Sequence, residues 1–301
     1  MARKRSCVDV SFRLPIILSR SRNDPDCTLI PGTALRHRLA SGLSGVACLA
    51  VLVQLGGSVV ADSWPIGPDA CLHAPFADAA TAAQAGIRDL VDGLRPALSE
   101  FPSLSSLLET GSTHICLAER LVTEKAYLDA EADRIVLSAD MSPGLMRVVL
   151  VHELRHAEQL ARGVCPSLNL AMREYARGVL ALEADANVTA ALVAWREKDA
   201  GDGQMWQALE SWPMTGDIAV RFAAVMAETG DVAEAASAAF DQWYASESRT
   251  NLYYITSCSA YLDQQDEVHA LPGYLRLADD YLARLCLLPD GTDYACSDAH
   301  R

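Results

Sequence analysis

The sequence predicts a mainly helical α+β protein with one small, short-stranded sheet. Three observations carry that expectation. Half of the 301 residues are apolar but only 6% are aromatic, and Ala and Leu dominate a chain of moderate Gly and Pro content, a composition that favours helices. Most apolar residues after residue 75 recur at spacings of three and four, the period of a helix with one buried face. Two short β-branched or apolar runs, His114–Leu117 and Arg134–Ser138, interrupt that pattern and read as strands.

In chain order, Phe76, Ala80, Ala83, Ile87, Leu90 and Leu94 predict a helix from Pro75 to near Pro96, with Pro75 in its first turn. After the two strands, Ser142-Pro143 supplies an N-cap and a first-turn proline, so a helix is expected from Pro143 to about Arg162, closed by Gly163 in a left-handed cap. Leu168, Met172, Tyr175, Val179, Leu182, Ala186, Thr189 and Val193 then form one stripe on a long helix suited to packing on the previous one. A Gly/Asp-rich gap, residues 199–203, precedes a helical C-terminal region. Its helices are expected at Asp217–Glu228, from a cap at Asp231 to Tyr244, at Leu252–Leu262 and at Tyr274–Leu287.

Residues 1–61 differ from the rest. They hold eight Lys/Arg against three Asp/Glu, whereas residues 62–301 hold 17 against 36. Arg36-His37-Arg38, an apolar core from Val46 to Leu55 and a small-residue ending describe a secretory signal cleaved after Ala61, with a membrane anchor over residues 43–61 as the alternative. The basic preamble is long for a signal and no methionine lies between Met1 and Met141, so a start near Leu29 to Leu35 is expected. The domain reading is therefore a leader (1–61), a core (62–200) and a helical region covering or walling the cleft (201–301). Export fits the six remaining cysteines, Cys71, Cys116, Cys165, Cys258, Cys286 and Cys296, which allow up to three disulfides. A net charge of −14 argues against nucleic acid as a partner.

The chemistry sits in Val148-Val149-Leu150-Val151-His152-Glu153-Leu154-Arg155-His156. Two histidines four apart stand one turn above each other on one helix face, so two imidazoles can converge on one metal ion, with the Glu153 carboxylate beside it as a base for water. Chance produces this pentad in on the order of one such chain in a hundred. A surface helix with two unrelated histidines fits poorly, because four aliphatic residues lead into His152. Three downstream acids could complete the site: Glu174, Glu183 and Asp185. Successive helical residues turn by about 100°, so Asp185 and Glu174 point well away from Glu183. Glu183 follows the stripe residue Leu182 and is the expected third ligand, with Asn187 one turn on as a supporting amide.

His152-Glu153-x-x-His156 followed by Glu183-x-x-Ala186 resembles the gluzincin metallopeptidases. More narrowly, His152-Glu153-Leu154-Arg155-His156-Ala157-Glu158-Gln159 with Leu182-Glu183-Ala184-Asp185-Ala186 resembles a group of uncharacterised bacterial proteins classed as metallopeptidases, over roughly residues 75–200. The resemblance implies a minimal zincin core, Zn²⁺ held by His152, His156 and Glu183, Glu153 as the base, and peptide or protein substrates. Where several gluzincins have an aspartate four residues after the glutamate ligand, this chain has Asn187. An edge of the Ile115 or Val136 strand is expected to hold an extended peptide by strand addition. Tyr253, Tyr254, Arg249 and His269 are residues of the right type to stabilise an oxyanion. The competing reading is a non-enzymatic zincin-fold binding module or envelope scaffold with a structural zinc. The intact Glu153 opposes it, because a structural metal has no use for a base.

Overall fold

The computed structural model describes residues 67–297, except 111–112 and 122–123. The expected leader and its cleavage site lie outside the described residues. Four strands, β1 (Cys71–His73), β2 (His114–Ala118), β3 (Ala126–Asp129) and β4 (Arg134–Ser138), form one sheet in the order β1-β2-β4-β3. The β1/β2 and β3/β4 pairs are antiparallel, and β2/β4 is parallel. Alternation along these strands divides the sheet by face. Ile115, Leu128, Ile135 and Leu137 join the main core, while Cys116, Tyr127 and Val136 make a smaller cluster.

Helices α1 (Ala82–Leu98) and α2 (Pro102–Glu109) connect β1 to β2, and α3 (Pro143–Ala161) follows β4. Ser142 Oγ accepts from the Leu145 N–H at the start of α3, Pro143 occupies the first turn, and Gly163 takes φ +68 just past its end, as the residue types dictate. α4 (Met172–Asp199) is the axis of the molecule. It is buried almost all round from Tyr175 to Ala194 rather than along one stripe, because α3, α5 (Gln204–Ser211), α6 (Gly216–Thr229), α7 (Val232–Tyr244) and α8 (Glu247–Glu267) all pack against it. α4 is long and apolar enough to cross a membrane by composition, but 94% of its most apolar window is buried. A short α9 (Tyr281–Leu285) completes the chain of helices. α3 approaches the start of α5 so closely that a Cβ on Gly144 would stand 2.4 Å from the Gln204 carbonyl oxygen, which only glycine permits.

The structure corrects several expectations. α1 begins at Ala82, not Pro75. Pro75 lies in a turn closed by the Phe76 N–H on the His73 carbonyl, and Thr81 with Gln84 forms the capping box that starts the helix. The long helix starts at Met172, not Leu168. Residues 274–280 are not helical, and only Tyr281–Leu285 of the expected Tyr274–Leu287 helix forms. Here Leu275 instead bridges to Leu170. The Ile115 and Val136 strands are the two inner strands, so neither offers an edge; the edges belong to β1 and β3. Among the described residues, two disulfides join Cys71 to Cys116 and Cys286 to Cys296, and Cys258 takes no part in one.

Candidate metal centre

α3 presents His152 and His156 one turn apart, and α4 brings Glu183 up against both. The two Nε2 atoms are 3.0 Å apart. Glu183 Oε2 lies 3.4 Å from His152 Nε2, and Oε1 lies 3.3 Å from His156 Nε2. Among the described residues, this is the one group of three or more His, Cys, Asp or Glu whose ligand-type atoms converge, all within 4.8 Å of one another. His156 and Glu183 are buried, and His152 is half-buried at the cleft wall. The expected residues are therefore brought together. Glu174 stands apart, bonded to Arg177 and to the Leu277 N–H.

The electrostatics of the trio favour a cation at its centre. Burial by itself would lower the His156 imidazole, but the Glu183 carboxylate outweighs it and lifts the group to about 9. Burial would likewise raise the Glu183 carboxyl, yet the His156 charge and the two imidazoles beside it pull it down to about 2. Glu183 Oε1 is also buried without a hydrogen-bond partner, a state that costs about 1–3 kcal/mol unless a ligand satisfies it. Two imidazoles and one carboxylate are a donor set that zinc accepts at catalytic sites, where three protein ligands leave a position open. The residues thus fit a metal ion.

Glu153 lines the same cleft as the trio. Its Oε2 is buried without a hydrogen-bond partner. Burial raises its pKa, against the opposing charges of His156 and His152. The cleft is lined by Val149, Ala190, Trp212, Met214 and Tyr253 around these polar groups. Its walls come from both sides of residue 200. Of the four oxyanion candidates, only Tyr253 lines the cleft with a polar group to offer. Burial, and then the Glu183 charge, raises its hydroxyl well above the usual tyrosine range, so it stays protonated. Arg249 also lines the cleft, but its guanidinium is fully engaged by the Trp243, Met214 and Gln242 carbonyls and by Asp217. Tyr254 is exposed on α8, and His269 lies beyond the end of that helix.

The model of the Putative metallopeptidase family (DUF6782) matches residues 61–296. The chain belongs to that family. No curated protein and no solved structure matches it.

In this family member a second polar cluster lies beneath the trio. Arg155, fully buried, grips Asp185 through Nε at 2.7 Å and Nη2 at 2.9 Å. It also donates to Glu158 and to the Leu287 carbonyl. The Tyr294 hydroxyl donates to Asp185 Oδ1 at 2.7 Å. Gln159 joins the two levels, with Oε1 2.8 Å from His156 Nδ1 and Nε2 2.7 Å from Asp185 Oδ2. Asn187 does not support a histidine as expected, because its amide donates back to the Glu183 carbonyl oxygen at 2.8 Å. Gln159, Arg155 and Tyr294 were not singled out by sequence reasoning. A buried role for Arg155 is signalled only by its place between two histidine-face residues in an aliphatic helix, and Tyr294 carries no local signal.

Proposed function

We propose that this chain is a zinc-dependent peptidase whose ion is held by His152, His156 and Glu183 and whose general base is Glu153. The convergence of the three donor atoms beside an unpartnered carboxylate oxygen carries the reading. When bound, the ion would supply Lewis acidity, polarising water and the scissile carbonyl near neutral pH. Glu153 does the proton work. Its raised pKa suits a group that accepts a proton from water and delivers it to the leaving amine. The cleft encloses about 50 Å³, against roughly 10–15 Å³ for one water on that measure, so the nucleophile has room.

β3 supports a peptide substrate. It is an edge strand, and its Ala126 lines the same cleft as Glu153. An extended chain added to this edge runs past the base, with main-chain hydrogen bonds giving affinity. Tyr253 is placed to donate its hydroxyl proton to the oxyanion. Export, and with it cleavage after Ala61 or anchoring by residues 43–61, is supported by the two disulfides, which persist in oxidising compartments.

Incubation of the zinc-loaded protein with unfolded polypeptides, with product mapping by mass spectrometry, tests the reading. The expected result is cleavage that is lost on chelation and restored by zinc. Stoichiometric zinc with no cleavage of any unfolded substrate would turn the assignment towards a structural metal.

A further inference from the structure

We propose that Gln159 and Asp185, completed by Tyr294, are positioning residues for this metal centre and determine which nitrogen of His156 carries the proton. The proposal rests on the metal reading above. It follows from what each atom can donate or accept. Gln159 Nε2 lies 3.0 Å from the Leu182 carbonyl oxygen and 2.7 Å from Asp185 Oδ2. Both are acceptors, so the NH₂ end of the amide has to face them, and the orientation of the amide is settled by chemistry. Oε1 is thereby left against His156 Nδ1 at 2.8 Å. An amide oxygen only accepts, so Nδ1 carries a hydrogen. The lone pair of the neutral imidazole is then on Nε2, the atom that faces His152 and Glu183.

The relay needs Asp185 to remain a pure acceptor. It takes four hydrogen bonds, two from Arg155, one from Gln159 and one from Tyr294, which is the full capacity of an ionised carboxylate. Two of the groups that hold this arrangement come from one distant loop. The Cys286–Cys296 disulfide closes it, the Leu288 N–H meets the Thr292 carbonyl and the Tyr294 N–H meets the Cys286 carbonyl. The loop brings the Leu287 carbonyl to Arg155 and the Tyr294 hydroxyl to Asp185. Support that Asn187 does not give is thus supplied from the opposite side of α4. Partners of this kind, behind a ligating histidine, are worth about 10–100-fold in metal affinity.

The test uses the full chain, zinc as the probe, chelator competition for affinity and ¹⁵N NMR for the histidines. In zinc-loaded wild type, His156 is expected to ligate through Nε2 with a hydrogen on Nδ1; ligation through Nδ1 overturns the proposal. Gln159→Met keeps the shape but removes the acceptor and should weaken zinc binding about 10–100-fold. Tyr294→Phe removes one hydroxyl and should weaken it less, with the ring still packed. Variants that melt earlier yet bind zinc with wild-type affinity while folded would show a purely structural role and overturn it. Should Gln159→Met not fold, the wild-type NMR signature and Tyr294→Phe decide. Failure of wild type itself to bind zinc would sink the underlying metal reading, whereas equal binding by wild type and Gln159→Met sinks only the relay.

Discussion

Two polar clusters are buried between α3 and α4, and they differ in how their hydrogen bonds are met. In the lower one, Arg155 and Asp185 reach Glu158, Gln159, Tyr294 and a backbone carbonyl, and every Asp185 lone pair is engaged. In the upper one, Glu183 Oε1 and Glu153 Oε2 make no hydrogen bond, and three ligand-type atoms face one another. Burial makes both arrangements costly to break, but only the lower one is complete within the protein. A satisfied buried cluster specifies structure; an unsatisfied one beside a cleft marks where a ligand is received. Glu183 and Asp185 are two residues apart on one helix and fall on opposite sides of that division.

The sharpest way to break the contrast is Glu183→Ala. It should remove most bound zinc and all hydrolysis, while lowering the stability of the metal-free protein far less than a change in the lower cluster. Metal analysis with urea unfolding of the stripped protein checks both halves. Next, Glu153→Gln should retain zinc and lower turnover about 10²–10⁴-fold. Unchanged turnover would remove Glu153 from the mechanism.

Arg155→Met attacks the lower cluster and leaves Asp185 an uncompensated buried charge. The unfolding free energy should fall by about 3–5 kcal/mol, read from urea midpoints at constant slope; a change under about 1 kcal/mol would mean that the cluster is not the structural one. Tyr253→Phe should lower kcat about 10²-fold with little change in KM, and an effect confined to KM would reassign it to substrate binding.

The smallest effect concerns a third cluster of intermediate character, Arg147 with Glu197 and Asp202. Burial, reinforced by Asp202 and opposed by Arg147, lifts Glu197 from 4.5 to about 7. The folded state therefore binds this proton more tightly than the unfolded one, and stability should fall as pH rises between about 4.5 and about 7. Glu197→Gln should flatten that part of the Tm profile. An identical slope in both proteins would show that the carboxyl ionises at its ordinary pH.

What was legible in the sequence was local. The His152-Glu153-x-x-His156 pentad, the Ser142 cap, the left-handed Gly163 and the Asp231 cap all lie within one or two helical turns of the residues they act on. Glu183 was found because helical phase separates it from Asp185. What escaped depends on distance in the chain. β1 and β3 have three and four residues, too short for alternation to show, and exist because β2 and β4 pair with them. Pro75 has the residue type of a first helical turn, but the Thr81–Gln84 box outcompetes it. Tyr274 and Leu275 open the stretch read as a helix, yet these residues are 86% and 62% exposed, so no face is buried there to stabilise one. Asn187 was expected to support a histidine, but its amide N–H is taken by the Glu183 carbonyl of its own helix.

The contacts that close the lower cluster span 109 residues, from Asp185 to Tyr294, and 132, from Arg155 to Leu287. Synthesis runs from the N-terminus, so the histidine helix and the glutamate helix leave the ribosome long before the loop that braces them. Until that loop arrives, the Arg155–Asp185 pair lacks two partners, and contacts of such separation form late in folding. This order of assembly postpones completion of the site. The nascent chain carries the whole His152-Glu153-x-x-His156 motif and Glu183 without the loop that braces the cluster beside them.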